Sequence, residues 1–236
     1  MISTMKTLKT IFAAALTMVS FAAAAQSTDE VVSKYVAAMG GAEKLASLKT
    51  VKMEGNINTQ GVDVGVTITK KHLVGMRLDL EIMGTSNFQI ATPTKGWVFM
   101  PVMQQTEPQE MEAEQLKSVQ SQLDVHGSLF NYKEKGYTLV AEGTEKIDGK
   151  DAHKLKLTKD GKEVNYFVDA ASGYIVRTTT KINAQGTEMV VENNYGDYKK
   201  NAEGFVFPYT NTNSQGVITF DKISANVAVD DKIFSN

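Results

Sequence analysis

The chain of 236 residues carries 25 lysines and arginines against 27 aspartates and glutamates, and it contains no cysteine. The formal charge of −2 argues against nucleic-acid binding, which needs a basic surface with interleaved aromatic side chains. Without cysteine the protein has no disulfide, no zinc–thiolate site and no cysteine nucleophile, so a hydrophobic core must stabilise it.

The first 25 residues are predicted to form a secretory signal peptide. Lys6 and Lys9 precede an apolar run from Ile11 to Ala25 that ends in four alanines, and this order of basic, apolar and small residues is typical of export signals. The run is too short and too interrupted for a membrane anchor. We therefore expect cleavage near Ala25 and a soluble periplasmic protein, with residues 26–236 forming one domain.

Two helices are predicted at the start of this domain. Ser27 and Glu30 fit a capping box, and apolar residues at helical spacing follow until Gly40 and Gly41 end the helix. A short second helix is expected at about residues 42–47.

From Thr50 onward the apolar period changes to two, which is typical of half-buried strands. In one stretch the apolar side chains that alternate with charged ones are Met76, Leu78, Leu80 and Ile82. Turn signals separate the alternating runs at Gln60-Gly61, Lys95-Gly96, Asp148-Gly149, Asp160-Gly161, Ser172-Gly173, Gln185-Gly186 and Gln215-Gly216. The sequence therefore predicts a mainly antiparallel β meander.

One segment, residues 107–124, departs from this alternation. It is rich in Glu, Gln, Met, Leu and Ala, which favour helices. It also carries a thin apolar stripe of Ala113, Leu116, Val119 (or Gln120) and Leu123. A sheet with one apolar face must cover that face. We therefore expect a helix here that connects two stretches of the meander and lies over the sheet as a lid.

The sequence shows no arrangement typical of catalysis or metal binding. His72, His126 and His153 lack metal-ligand spacing along the chain, no G-x-S-x-G nucleophile motif is present, and the acidic residues of 107–124 are read as a solvated face. We expect no enzymatic activity, no cofactor and no metal.

An apolar surface is the remaining candidate for function. Trp97, Phe99 and several methionines crowd residues 76–103, and methionine-rich surfaces adapt to ligands of varied shape. An ordinary filled core and a ligand cavity both remain open at this point. A cavity would be lined by Met76, Leu78, Leu80, Ile82, Phe88, Ile90, Trp97, Phe99, Met103, Leu116 and Val119.

Four stretches carry a resemblance to a known family. Residues 35–45, 67–78 (TITKKHLVGMRL), 89–105 (QIATPTKGWVFMPVMQQ) and 166–177 (YFVDAASGYIVR) resemble parts of periplasmic lipoprotein-localisation factors of the LolA/LolB type. The resemblance implies an incomplete, half β-barrel closed by a few helices, with a hydrophobic cavity for acyl chains and without enzymatic activity. It also matches Lys71, as a polar rim residue, to an arginine of that family; lysine lacks the planar fork of arginine.

Two functions follow as hypotheses. The first is a monomeric periplasmic carrier that binds lipid or the acyl chains of lipoproteins. The second is an envelope sensor or protein-interaction module, which uses the same fold with a filled core and contacts envelope membrane proteins. Lipid that copurifies with the protein would separate the two.

Overall fold

The computed structural model describes residues 27–59, 61–184 and 187–236, so the expected signal peptide lies outside the described residues. Two short helices begin the described chain, α1 (Thr28–Ala38) and α2 (Ala42–Ala46). The expected capping box is present, because the Ser27 side chain accepts from the Glu30 amide and the Glu30 carboxylate accepts from the Ser27 amide. Gly40 and Gly41 separate the helices at φ of 106° and 94°, which favour glycine.

Thirteen strands follow and form one antiparallel sheet. They are β1 (Thr50–Thr59), β2 (Val62–Lys71), β3 (Gly75–Ile82), β4 (Thr85–Ala91), β5 (Gly96–Phe99), β6 (Gln109–Glu110), β7 (Thr138–Ile147), β8 (Lys150–Lys159), β9 (Lys162–Asp169), β10 (Ile175–Ala184), β11 (Thr187–Lys200), β12 (Val206–Asn213) and β13 (Gly216–Ala225).

The sheet consists of two meanders joined in the middle. In space the strands run from β6 back to β1, and β1 then pairs with β13, from which the order runs back to β7. The first and last strands are therefore central neighbours, with Met53 opposite Ile223. Because β6 and β7 remain separate edges, the curled sheet is open, which confirms the predicted half-barrel.

Tight turns set the register of several hairpins. Asp148-Gly149 and Asp160-Gly161 have two positive φ values each, as type I′ hairpin turns require. Met83-Gly84, at φ of 51° and 75°, forms a turn of the same kind that sequence reasoning missed. Gly96 begins β5 instead of lying in a turn. The signals at Gln60 and at 185–186 fall outside the described residues.

One face of the sheet, here called the inner face, carries most of the core. Val51, Lys70, Met76 and Ala91 lie opposite one another on successive strands and share this face. The pairing continues across β1 and β13 to Leu155 on β8. Helices α1 and α2 pack on the inner face of β8 and β9.

The expected long helix at 107–124 is shorter in the structure. Residues 109–110 pair with β5 as β6, and a helix α3 (Ala113–Val119) follows, continued by a 3₁₀ turn over Gln120–Leu123. The Gln115 side chain accepts a hydrogen bond from the Glu112 amide and caps this helix, so the helix begins after Glu112. We call residues 113–123 the covering segment, because Leu116, Val119 and Leu123 pack on Met76 and Ala91 of the inner face.

The outer face of β3 is covered by the end of the chain, which the sequence did not indicate. A 3₁₀ turn over Asp231–Phe234 buries Phe234 against Gly75, where a Cβ would overlap the phenyl ring. Lys71 Nζ pairs with Asp231 at 2.6 Å. Within the ranges that the structure describes, no helix has the length and apolarity needed to cross a membrane.

Candidate functional site

The apolar residues expected to line one cavity lie on both faces of the sheet. On β3, Met76, Leu78, Leu80 and Ile82 belong to the inner face. On β4 and β5, Phe88 lies opposite Asp79 and Phe99, and Ile90 lies opposite Arg77 and Trp97. Phe88, Ile90, Trp97 and Phe99 therefore share the outer face with the charged side chains of β3, so the structure does not bring the two groups together.

The cause of this division is the two-residue turn at Met83-Gly84. It places Ile82 opposite Thr85, so even-numbered residues of β3 face the same side as odd-numbered residues of β4. Directly opposite residues of an antiparallel pair share a face, and a change of one residue in register moves every side chain to the other face. The predicted apolar alternation along each strand is correct, but it does not show which residues of β3 share a face with which residues of β4.

The outer group forms a small cluster of its own. The rings of Phe88 and Phe99 are 5.5 Å apart, and the Arg77 guanidinium lies 4.7 Å above Phe88. Ile90 is completely buried, whereas Met103 is 72% exposed. This cluster is a packed feature of the outer face.

The inner group is largely packed. Met76 is buried with Ala91 and Leu123 beneath the covering segment, where Leu116 and Val119 also lie. Leu78 and Leu80 pack on a second cluster that includes Val66 and Phe220. This half of the inner face therefore resembles a filled core.

An open cleft of about 470 Å³ lies on the other half of the inner face, between the covering segment and β8–β9. Its lining residues are Leu73, Lys117, Gln120, Ser121, Asp124, Ser128, Lys135, Tyr137, Leu157, Lys159, Asp160, Lys162, Val164 and Tyr166. The volume falls within the range of roughly 300–1,000 Å³ found for small-molecule sites. None of the apolar residues expected from the sequence lines this cleft, although Leu116 and Val119 flank its wall.

The cleft combines apolar strand residues with basic ones. Leu157 and Val164 lie opposite each other on β8 and β9, and Tyr166 lies beside them with a pKa raised to about 12 by burial. Nζ of Lys159 donates to the carbonyl of Lys135 at 2.8 Å, and Nζ of Lys162 to that of Lys117 at 3.3 Å. A carbonyl acceptor is neutral, so neither contact places a carboxylate against these ammonium groups.

The lysine pair at the end of β2 is divided between the two faces. Lys71, the expected polar rim residue, lies on the outer face and is held by Asp231. Lys70 lies on the inner face between Val51 and Met76, and desolvation lowers the pKa of its ammonium group to about 8. Lys70 is the lysine that faces the interior.

Two of the three histidines meet in space. His72 follows β2 and His126 follows the covering segment, yet their ring centroids are only 4.0 Å apart, and both are close to the Asp124 carboxylate. Spacing along the chain gave no sign of this cluster, because the contact depends on how the covering segment folds back onto the β2–β3 connection. His153 is apart from the cluster, with its Nδ1 3.4 Å from the Thr144 hydroxyl.

No protein-family model matches the sequence, and no curated protein matches it at a significant level. Solved structures match it through their fold. A DUF1329 family protein from Desulfovibrio piger is 15% identical over 88% of this chain and 97% of that chain, with a TM-score of 0.59. A LolA superfamily protein from Nitrosomonas europaea is 14% identical over 89% of this chain and 98% of that chain, with a TM-score of 0.56.

The chain has a LolA-like fold. A putative outer membrane lipoprotein-sorting protein domain from Vibrio parahaemolyticus shares it at 12% identity and a TM-score of 0.55, over 88% of this chain and 97% of that chain. The LolA-like architecture expected from the sequence is therefore confirmed. Identities this low establish a common fold and leave the ligand to be argued from the site.

Proposed function

We propose that the protein carries an amphiphile, either a lipid or the acyl chains of a lipoprotein, in the cleft between the covering segment and β8–β9. The observation that supports this most directly is a cleft on the inner face of an open LolA-like sheet, lined by apolar strand residues and by lysines that donate to carbonyl oxygens. An acyl chain over Leu157 and Val164 gains about 0.8 kcal/mol for each buried CH₂. The lysines attract an acidic head group, which adds orientation to affinity.

The names of two proteins with the same fold agree with this proposal. One is described as a lipoprotein-sorting domain and another as a member of the LolA superfamily. The proposed site is therefore not the apolar surface of Trp97 and Phe99 that the sequence predicted. It lies on the half of the sheet that holds Leu157. We expect binding and release without chemical change of the ligand, by a monomer in the periplasm after removal of residues 1–25.

Entry of a ligand requires the covering segment to move. This segment forms one wall of the cleft through Lys117, Gln120 and Ser121, and it is held on the sheet by Leu116, Val119 and Leu123. Within the described residues only Leu123 of the segment is buried. Because so little of the segment is buried, opening it costs less free energy than unfolding the sheet.

The test is native mass spectrometry of the purified protein followed by organic extraction, together with titration of a fluorescent fatty acid. We expect near-stoichiometric lipid or uptake of the fatty acid. Val164→Glu places a charge among the apolar cleft residues and should reduce fatty-acid affinity at least ~10-fold, because a charge would be buried beside the acyl chain.

Val140→Glu is the matched control. Val140 lies on the outer face of the neighbouring sheet edge, opposite Lys156, and is 48% exposed, so the same substitution there should leave binding unchanged. A folded Val164→Glu protein that binds as tightly as the unsubstituted chain would contradict the cleft as the site.

The interaction-module hypothesis has one observation in its favour. The half of the inner face under the covering segment is packed by Met76, Ala91 and Leu123, as a filled core would be. If the purified protein contains no lipid and does not take up the fatty acid, the module is the better hypothesis.

A further inference from the structure

The cluster of His72, Asp124 and His126 joins two separate parts of the chain. His72 belongs to the β2–β3 connection, whereas Asp124 and His126 directly follow the covering segment. One potential ligand atom from each residue lies within 4.8 Å of the other two. Oδ1 of Asp124 is 3.5 Å from Nδ1 of His72 and 3.9 Å from Nδ1 of His126.

The hydrogen bonds around His126 orient it as a ligand. Its Nε2 lies 2.9 Å from the carbonyl oxygen of Leu48, and since a carbonyl can only accept, Nε2 carries the hydrogen. In the neutral ring Nδ1 then carries the lone pair, and it faces Asp124. Metal-binding histidines are commonly held in this way, with the second ring nitrogen donating to a carbonyl.

His72 supplies a second, independent observation. Its Nδ1 is buried and forms no hydrogen bond in the structure, although buried polar atoms are nearly always satisfied. When the hydrogen of the neutral ring is on Nε2, this Nδ1 offers its lone pair to an ion.

Asp124 supplies the negative charge of the cluster. Its Oδ2 pairs with Lys135 at 2.5 Å, and its Oδ1 accepts from the His126 amide at 3.0 Å. The ion pair thus holds the carboxylate so that Oδ1 faces both imidazoles. The arrangement brings Nδ1 of both imidazoles and Oδ1 of Asp124 together, while the Lys135 ammonium contacts the other carboxylate oxygen.

We propose that His72, Asp124 and His126 bind a divalent transition-metal ion of the Zn²⁺ class. Ligand atoms around a tetrahedral Zn²⁺ lie about 3.3 Å apart, given metal–ligand distances of about 2.0–2.1 Å. The separations of 3.5 and 3.9 Å from Asp124 Oδ1 are close to this value, and the ligand atoms of the two histidines lie within 4.8 Å of each other. Three protein ligands leave a fourth position for water or another small ligand.

The position of the site gives the ion a structural consequence. Leu73 already donates its amide hydrogen to the carbonyl of Leu123 at 2.9 Å, next to the cluster. A metal ion would add a second and stronger link between the end of the covering segment and the β2–β3 connection. Asp124 also lines the cleft, so the ion would hold that wall in place. This inference does not rest on the proposed lipid ligand.

The experiment uses the untagged chain after removal of metals with EDTA, titrated with ZnCl₂ by calorimetry. The three histidines of the sequence provide both the test and its control. We expect one Zn²⁺ per chain, with His72→Ala and His126→Ala each weakening binding at least ~10-fold. His153→Ala should leave the affinity unchanged.

A second measurement needs no variant and so does not depend on how the substitutions fold. Addition of Zn²⁺ to the unsubstituted protein should shift the imidazole NMR signals of two histidines and leave the third in place. The proposal is overturned if Zn²⁺ shows no saturable binding, if the His153 signal shifts instead, or if folded His72→Ala and His126→Ala proteins retain full affinity.

Discussion

Lys70 is a desolvated charged residue on the inner face. It lies between Val51 and Met76, and desolvation lowers its pKa from 10.5 to about 8. We expect Lys70→Met to stabilise the protein at pH 7 by at least about 1 kcal/mol, because the charged form is disfavoured in the folded state. Urea unfolding of both proteins measures the difference.

The pH dependence of this difference has a definite sign. Between pH 8 and 10.5 the unfolded chain retains the Lys70 proton while the folded chain loses it, so the cost of the charge is fully present below pH 8 and fades as the pH rises. The difference in free energy of unfolding between Lys70→Met and the unsubstituted protein should therefore decrease from pH 7 to pH 9.5. Lys71→Met is the control, since its exposed pair with Asp231 contributes only about 0–1 kcal/mol. A Lys70→Met protein less stable at pH 7 would contradict the argument.

At the level of elements, the β3–β4 hairpin contains a residue poorly suited to its turn. Met83 has φ of 51° and is 81% exposed, whereas Asn-Gly is preferred in type I′ turns. Met83→Asn should raise the free energy of unfolding by about 0.5–1 kcal/mol, because asparagine tolerates the left-handed conformation better. Asp148→Asn, in the Asp148-Gly149 turn, should be nearly neutral. Thermal unfolding checks both variants, and destabilisation by Met83→Asn would contradict the turn assignment.

The C-terminal 3₁₀ turn depends on a glycine in β3. A Cβ at Gly75 would overlap the ring of Phe234, so Gly75→Ala should displace this turn and destabilise the protein by roughly 1–3 kcal/mol. Gly65→Ala, on β2, places its Cβ 3.3 Å from the Glu81 Cβ and serves as the milder control. Denaturant midpoints compare them; equal midpoints would show that Phe234 is not held against β3.

In the molecule as a whole, the pairing of β1 with β13 joins the two meanders into one sheet. We expect residues 26–236 to unfold as a single cooperative unit, since neither meander has its full core alone. The single tryptophan, Trp97, reports on the first meander, and far-UV circular dichroism reports on both. The two signals should follow one urea transition. Separate midpoints would indicate two domains and contradict the single-domain prediction.

The class of fold could be predicted without a structure, because it depends on local sequence signals. Period-two alternation, the Asp-Gly turns and the Ser27–Glu30 cap depend on neighbouring residues, and each has its expected form in the structure. The apolar stripe of 113–123 also identified the covering segment, although Gln109 and Glu110 form a strand outside the helix. These features need no knowledge of distant contacts.

The position of the candidate cleft depends on contacts between residues that are distant in the sequence. The register that the Met83-Gly84 turn imposes places Phe88 and Trp97 on the outer face. The cleft lies instead between the covering segment and the strand that carries Leu157. The meeting of His72 with His126 likewise depends on the segment folding back onto the β2–β3 connection. Alternation determines which side chains share a face within one strand. Register and long-range packing determine which faces and which distant residues meet, and neither can be seen in a single strand's sequence.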